Sequence, residues 1–176
     1  VVRALRDRGI PFRAAGQSVE RTRALLGVDI DAAMLDFTDP RTFERAAEGC
    51  TALFLLRPPA IARVETTLNR FVDVARSCGT GHVVFLSVMG AGSNKLVPHH
   101  AVEAHLARRS GDWTTLRPGF FAQNLADAYL RDIVEEDRLY VPAGEGLVTF
   151  VDVSDVADVA ALAFQDPAAH RGRAHT

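Results

Sequence analysis

Two kinds of apolar pattern alternate along the chain. Residues 51–56 (TALFLL) and 82–88 (HVVFLSV) are almost continuously apolar, which is typical of strands buried on both faces of a parallel sheet. Between them, residues 61–79 place apolar side chains at helical spacing and end at Gly79, and residues 98–109 are predicted as a helix after a glycine-containing loop. This alternation predicts a parallel sheet with helices on both sides.

The rest of the chain follows the same alternation. Pro40, a favoured first-turn residue, opens a helix with Asp39 placed to cap it, and Ser154 is placed to cap the last helix. We therefore predict one Rossmann-like α/β domain over residues 1–176, with a doubly wound parallel sheet. Ligands of such a sheet bind at the carboxyl ends of its strands, here after Gly16, Asp36, Leu56, Ser87 and Arg117. Further strands are predicted at 10–16, 31–36 and 113–118, extended pieces around 139–142 and 147–153, and further helices at 1–9, 19–27, 40–49, 121–136 and 154–164.

Composition and charge narrow the classes of function. The 176 residues are 48% hydrophobic and carry a net charge of -2 without a basic block, which argues against nucleic acid and anionic membrane surfaces as partners. The longest apolar runs are far shorter than the roughly 20 residues of a membrane span. Cys50 and Cys78 form no CxxC motif. A reducing cytoplasm and no structural metal are the simplest expectation.

Several segments, taken together, resemble a known family. In order and spacing they are similar to the NmrA-like group of atypical short-chain dehydrogenases, most of all to the branch with type 2 quinone oxidoreductases and azoreductase-like enzymes. The resemblance covers nearly the whole chain, and WTTLRPGFFAQN is its most specific part. It implies a Rossmann fold that binds NAD(P), with NADPH slightly favoured, a small-molecule substrate and a homodimer. The segments are MLDFTDP, TALFLLRPP, HVVFLSVMGA, HHAVEAHLARRSGDWTTLRPGFFAQN and FVDVSDVADVAALAF.

The start of the sequence departs from the family pattern. In that family, a first strand and a GxxGxxG turn precede a helix similar to residues 1–10, and this sequence contains neither. The strand is central in the order 3-2-1-4-5-6, and the turn supplies backbone amides to the pyrophosphate. We therefore expect that this sequence is truncated at its N-terminus and that the chain binds cofactor weakly or misfolds.

The resemblance places two cofactor-binding segments at the ends of the early strands. Gln17 and Ser18 occupy the turn where an Arg favours NADP and an acidic residue favours NAD, and neither type is present. Ser18 can donate to a phosphate, but an ordinary turn and helix cap explain the pair equally well. Asp36 and Phe37 match a position that flanks adenine in the family. The alternative is that Asp36 is an ordinary loop residue and Phe37 belongs to the core.

Two further segments are expected at the nicotinamide end. Leu56 and Arg57 begin a loop that passes beside the cofactor ribose, where Arg57 can reach a phosphate or a substrate anion; a solvated Arg is the alternative. Pro118 and Gly119 match backbone that relatives present to the nicotinamide carboxamide. The residues that follow are expected to line a pocket for a flat ring, although Phe is more often simply core. These pocket residues are Phe120, Phe121 and Asn124.

The catalytic residues of typical short-chain dehydrogenases are only partly matched. Ser87 fits the serine that orients the substrate carbonyl. The Tyr-x-x-x-Lys pair is replaced by Lys95 and His99, and the chain's two tyrosines, Tyr129 and Tyr140, lie elsewhere. His99 is the candidate for a ribose contact or proton relay, in preference to the neighbouring histidine, which projects differently. A helix-capping role is the alternative, and a metal site is not expected because only Glu103 lies at ligand spacing.

We therefore predict an NAD(P)H-dependent oxidoreductase that transfers hydride to a small aromatic or quinone-like acceptor, with solvent able to supply the proton. The alternative is an NmrA-like redox sensor that binds dinucleotide without turnover and acts through a protein partner. The absence of Tyr-x-x-x-Lys favours the sensor, and the aromatic pocket favours the enzyme.

Overall fold

The computed structural model describes residues 1–109, 111–139 and 144–176. Parallel strands alternate with helices, so the predicted fold class is confirmed. The strands are β1 Ala14–Gly16, β2 Ala32–Met34, β3 Ala52–Leu56, β4 His82–Leu86, β5 Asp112–Leu116, β6 Phe120–Phe121, β7 Phe150–Val151 and β8 Arg173–His175. The helices are α1 Val2–Asp7, α2 Val19–Leu26, α3 Phe43–Ala47, α4 Leu68–Ser77, α5 Pro98–Arg108, α6 Leu130–Glu136, α7 Val153–Gln165 and α8 Pro167–His170, with short 3-10 helices at Pro40–Thr42 and Ala122–Ala126.

The described strands form three groups in which every pairing is parallel. The largest has the order β3-β4-β5-β8, while β1 pairs with β2 and β6 pairs with β7. Within the described ranges, β1 and β3 are not hydrogen-bonded to each other. The carboxyl ends of β3, β4 and β5 meet at one edge because their registers align Leu56, Leu86 and Leu116.

The four-stranded sheet is covered by helices on both faces, which explains the continuous apolar run in β4. Val83 and Phe85 point into the core formed with α4 and α5, whereas Val84 and Leu86 pack beneath α7. Alternate side chains of a strand point to opposite faces, so the same parity applies to β5. We refer to these as the α5 face and the α7 face of the sheet.

The helix predicted from residue 61 begins only at Leu68. The Ile61 carbonyl accepts a hydrogen bond from Arg57, and the Val64 carbonyl accepts from the amides of Thr67 and Asn69, which is a turn geometry. Ile61 and Val64 still pack against the core. The apolar spacing therefore correctly identified the inward-facing residues and failed on the backbone, because loop contacts replace the first two helical turns.

Other elements also differ from the predictions. The helix predicted over 121–136 is divided into part of β6, a 3-10 helix and α6. The last long helix is capped by Asp152, whose carboxylate accepts from the Ser154 amide, and not by Ser154. Strand β8 was not predicted, because three residues of mixed polarity carry no period. The extended piece predicted at 139–142 falls mostly outside the described residues. Within the described ranges, no helix combines the length and apolar character that crossing a membrane requires.

Candidate functional site

A cluster of polar side chains lies at the carboxyl ends of β3, β4 and β5. Arg57, Ser87 and Arg117 each stand one residue after their strand. Helix α5 crosses the α5 face and brings His99 and Glu103, one helical turn apart, to the same edge. Strand alternation directs Ser87 and Arg117 to this face, because they share the parity of the inward residues Val83 and Trp113.

Glu103 is the centre of this cluster. Its carboxylate accepts the Ser87 hydroxyl at 2.5 Å and the guanidinium of Arg117 through two bonds, at 3.1 Å from Nε and 2.6 Å from Nη2. The Glu103 side chain is only 9% exposed and that of Arg117 is 26% exposed. A two-point ion pair with a further hydroxyl donor is the arrangement that makes a buried carboxylate tolerable. The bond to Glu103 raises the pKa of Arg117, so the guanidinium stays charged.

Gly92, in the loop between β4 and α5, lies directly on the Arg117 guanidinium. A Cβ at this position would lie 2.6 Å from Nη2 and 2.8 Å from Cζ of Arg117. The glycine is therefore explained by the close approach of the guanidinium. The ion pair joins the end of β5 to α5, and the loop packs against its guanidinium.

His99 is a neutral imidazole in this setting. The Nε of Arg57 donates to Nε2 of His99 at 3.3 Å, so the neutral ring carries its proton on Nδ1. Burial lowers the pKa of His99, the positive charge of Arg57 lowers it further, and Glu103 only partly offsets this. The ring also lies against Phe85, with centroids 6.0 Å apart. The site thus holds one neutral donor beside a locked ion pair.

Ser87 and Arg57, two other predicted residues at this edge, already form side-chain hydrogen bonds within the protein. Ser87 is 2% exposed, and its hydroxyl donates to Glu103. Arg57 directs Nη1 to the carbonyls of Pro58, Pro59 and Ile61, which shapes the loop after β3. In this geometry Ser87 and Arg57 hold other residues in position.

The early cofactor candidates lie at the ends of β1 and β2. Ser18 caps α2, accepting from the Arg21 amide and donating to Glu20, and Gln17 precedes it in the bend. Asp36 accepts from the amide and hydroxyl of Thr38. Phe37 packs edge-on against Phe71, with centroids 5.6 Å apart.

The residues after β5 carry a half-exposed aromatic group. Phe120 contacts Tyr129 and Phe150 at centroid distances of 5.6 and 5.3 Å. Gly119 lets the backbone of Thr149 approach, because a Cβ there would lie 2.4 Å from the Thr149 oxygen. The other predicted residues here make backbone contacts. The Pro118 carbonyl accepts from the Met89 amide, and the Asn124 carbonyl accepts from the Tyr129 amide. Phe121 pairs with Val151 between β6 and β7.

Sequence reasoning assigned no role to Glu103 or Arg117. A usable signal was present, because Glu103 lies at helical spacing between His99 and the buried Leu106. A carboxylate on the inner side of a helix needs a cation. Tyr129 and Phe150 were also missed as partners of Phe120. Among the described residues, no group of three His, Cys, Asp or Glu side chains is arranged to hold a metal ion.

The comparisons with known proteins point in one direction. A family model described as NAD(P)H-binding matches residues 1–167. The chain is 31% identical to an NAD(P)H azoreductase of Xenophilus azovorans, over 99% of this chain and 62% of that protein.

Solved structures agree on the fold. An NADPH-dependent quinone oxidoreductase of Escherichia coli superposes with a TM-score of 0.83 at 21% identity, covering 99% of this chain and 62% of that one. The triphenylmethane reductase of Citrobacter sp. superposes with a TM-score of 0.79 at 21% identity, covering 93% and 59%. The chain thus spans about three fifths of the length of each relative.

Proposed function

The chain belongs to the NAD(P)H-binding family, as its sequence motifs predicted, and from this membership we propose that it is part of an NAD(P)H-dependent oxidoreductase that reduces a small aromatic or quinone-like acceptor. Similar proteins named as an azoreductase, a quinone oxidoreductase and a dye reductase support the acceptor class. NADPH is the favoured cofactor, since two of those structures contain NADP(H) or NADPH. A homodimer and a cytoplasmic location remain predictions.

The observation that carries the proposal is the neutral His99 beside the Glu103–Arg117 pair at the carboxyl ends of the central strands. This edge is where doubly wound folds bind nucleotides. A neutral donor next to a fixed ion pair suits a reaction in which the substrate accepts electrons and a proton and no strong acid is needed.

The residues fit a dinucleotide laid along this edge. Gln17 and Ser18 would face the adenosine phosphate end and Asp36 with Phe37 the adenine. The nicotinamide end would pass Leu56 and Arg57 and reach the backbone of Pro118 and Gly119, where it supplies the hydride. Phe120, Phe121 and Asn124 would border the acceptor.

Each residue of the inner cluster has a distinct role in this proposal. His99 holds a proton on Nδ1 and passes it, or a proton from solvent, to the reduced acceptor. Arg57 keeps that ring neutral by donating to Nε2. Glu103 and Ser87 position Arg117, which keeps the end of β5 and the Gly92 loop in place. The aromatic side chains exclude water from the acceptor.

Titration of the chain with NADPH and NADH, followed by the fluorescence of Trp113, tests cofactor binding, and a panel of quinones and azo dyes tests turnover. We expect His99→Gln to bind NADPH within about threefold of wild type while turnover falls about tenfold to a hundredfold, as for the loss of a proton donor. His105→Gln is the matched control, because His105 also lies on α5 but bonds Asp73 of α4, away from the candidate site. Equal turnover in wild type and His99→Gln would rule out a relay at His99.

A dinucleotide-binding regulator without turnover is the second candidate. The burial of Ser87 and its bond to Glu103 favour it, because the Ser87 hydroxyl is then not free to orient a substrate carbonyl. Saturable NADPH binding with no reduction of any acceptor in the panel would favour the regulator. Absence of binding, also by a chain extended at its N-terminus with the strand and GxxGxxG turn of the family, would contradict both candidates.

A further inference from the structure

A chain of histidine contacts crosses the α7 face of the sheet, away from the site described above. His82, the first residue of β4, places Nε2 2.9 Å from the hydroxyl of Thr114 on β5. That hydroxyl lies 2.9 Å from the carbonyl of His170 in α8. His170 then places Nδ1 3.1 Å from Nε2 of His175 in β8. The contacts therefore join β4, β5, α8 and β8.

The hydrogen-bond geometry assigns the proton on His82. The Thr114 hydroxyl has one hydrogen, and the His170 carbonyl can only accept it, so His82 must donate to Thr114 from Nε2. Its Nδ1 atom is therefore bare, buried and without a partner among the described residues. Protonation would place an N–H at this atom with nothing to receive it. The contact fits only a neutral His82.

The second pair of rings is also limited in charge. One nitrogen of the His170–His175 contact must donate and the other accept. If both rings were protonated, two N–H groups would face each other. The pair therefore tolerates at most one positive charge.

The surroundings of His82 disfavour its protonation mainly through burial. Burial lowers the pKa of His82. The carboxylate of Asp112 raises this pKa, whereas His170 and Arg76 lower it. Asp112 is shared with Arg171, 4.0 Å away. From α7, Phe164 covers the His82 ring without any charge.

His175 has a similar environment on the β8 side. Burial lowers its pKa, and the positive charges of His170 and Arg173 add to this effect. Asp166, at the start of α8, uses its carboxylate to accept the Ala169 amide. No carboxylate therefore contacts His175 among the described residues.

Strand β8 links these rings to the candidate site. The Arg117 amide donates to the His175 carbonyl at 2.7 Å, and the Gly172 amide donates to the Trp113 carbonyl at 2.7 Å. The side chain of the same Arg117 holds Glu103 on the opposite face. The backbone position of Arg117 is thus held by β8.

We propose that His82, His170 and His175 form an acid-sensitive clasp that holds β8 on β5. Acidification below the ordinary titration range of histidine, about pH 6.5, adds protons that the contacts cannot accommodate. The α8–β8 segment then separates from β5, and the end of β5 that carries Arg117 loses its backbone partner. The result is a local opening that begins at β8 while the rest of the sheet stays folded.

Hydrogen–deuterium exchange of the chain at pH 7.5 and 5.0, corrected for the intrinsic pH dependence of exchange, tests the clasp. For wild type we expect protection of residues 171–176 and of the Arg117 amide to fall about tenfold at pH 5.0, with β3 and β4 unchanged, because only the β8 pairing opens. The emission of Trp113 should shift over the same pH range.

Variants that remove one titrating ring keep the test specific. In His175→Gln the amide nitrogen replaces Nε2 and retains a bond to His170, so we expect protection to change less than about threefold between the two pH values. His105→Gln, at the Asp73 contact, should keep the wild-type fall. If His175→Gln does not fold at pH 7.5, His170→Asn provides the same replacement on the other ring. Equal wild-type protection at both pH values, or an undiminished fall in the variant that lacks one ring, would overturn the proposal.

Discussion

The two faces of the four-stranded sheet stabilise their buried polar groups in opposite ways. On the α5 face, Glu103 and Arg117 form an ion pair joined by two hydrogen bonds. On the α7 face, His82 and Thr114 are neutral and are joined by one hydrogen bond. Both sets stand beside continuous apolar cores.

The difference shows what each face cannot tolerate. A buried ion pair is sensitive to the loss of one partner, because the remaining charge is left without compensation. A neutral hydrogen-bond chain is sensitive to a lost donor or an added proton. The α5 face should therefore respond most to neutralisation, and the α7 face to a methyl in place of a hydroxyl and to acid.

The largest effect is expected for Glu103→Gln on the α5 face. It removes the charge that Arg117 needs, and we expect a loss of about 2–4 kcal/mol in the free energy of unfolding, tempered by the partial exposure of Arg117. Denaturant unfolding measures it. Glu135→Gln, which removes an exposed pair with Arg131, should leave the midpoint nearly unchanged. Equal midpoints for the two variants would mean that the buried pair contributes little.

Adjacent threonines of β5 compare the two faces within one strand. Thr114 and Thr115 are both fully buried, but only Thr114 has hydrogen-bond partners, and the Thr115 hydroxyl has none among the described residues. Thr114→Val should destabilise by about 1–3 kcal/mol, because the His82 N–H loses its acceptor, whereas Thr115→Val should be neutral or stabilising. Thermal unfolding of both variants decides this, and a reversed order would contradict the assignment of contacts.

A smaller effect is expected for Gly92→Ala. The added Cβ would meet the Arg117 guanidinium at 2.6 Å, but the end of a long side chain can shift, so we expect a loss of about 1 kcal/mol. Combining it with Glu103→Gln should be clearly less than additive, since both act on Arg117. Full additivity in a double-mutant cycle would show that Gly92 acts independently.

Acidification is expected to have the smallest effect of these changes on stability. The effect should be slight near neutral pH and should increase as the pH falls. His82, His99 and His175 have pKa values lowered mainly by burial, so the unfolded chain binds protons first. Stability is then fully present above the ordinary histidine pKa of about 6.5 and declines as the pH falls towards the folded-state values. Unfolding midpoints between pH 8 and 5 measure this, and a midpoint that rises on acidification would contradict the sign.

Much of the fold followed from local pattern. Strands β3, β4 and β5 and helices α2, α5 and α7 were predicted close to their bounds, because their apolar spacing and boundary residues agree. The errors lie where contacts from elsewhere override the pattern. Arg57 takes the Ile61 carbonyl and prevents the early start of α4, and β8 exists only through its pairing with β5.

The candidate site was predictable only in part. The position of Ser87 and His99 near the same edge followed from strand ends and one helix. The bonds made by these groups did not, because they join residues 14 to 42 positions apart: Ser87 with Glu103, Arg117 with Glu103, and Arg57 with His99.

The sequence by itself determined the parallel α/β architecture and the membership of an NAD(P)H-binding family, since these depend on periodicity, turns and local motifs. Only the tertiary structure decided which polar groups are charged, which are neutral and which are already bonded. Burial, and the partner that each group meets, set the energy of a charge. Both depend on contacts between residues far apart in the chain.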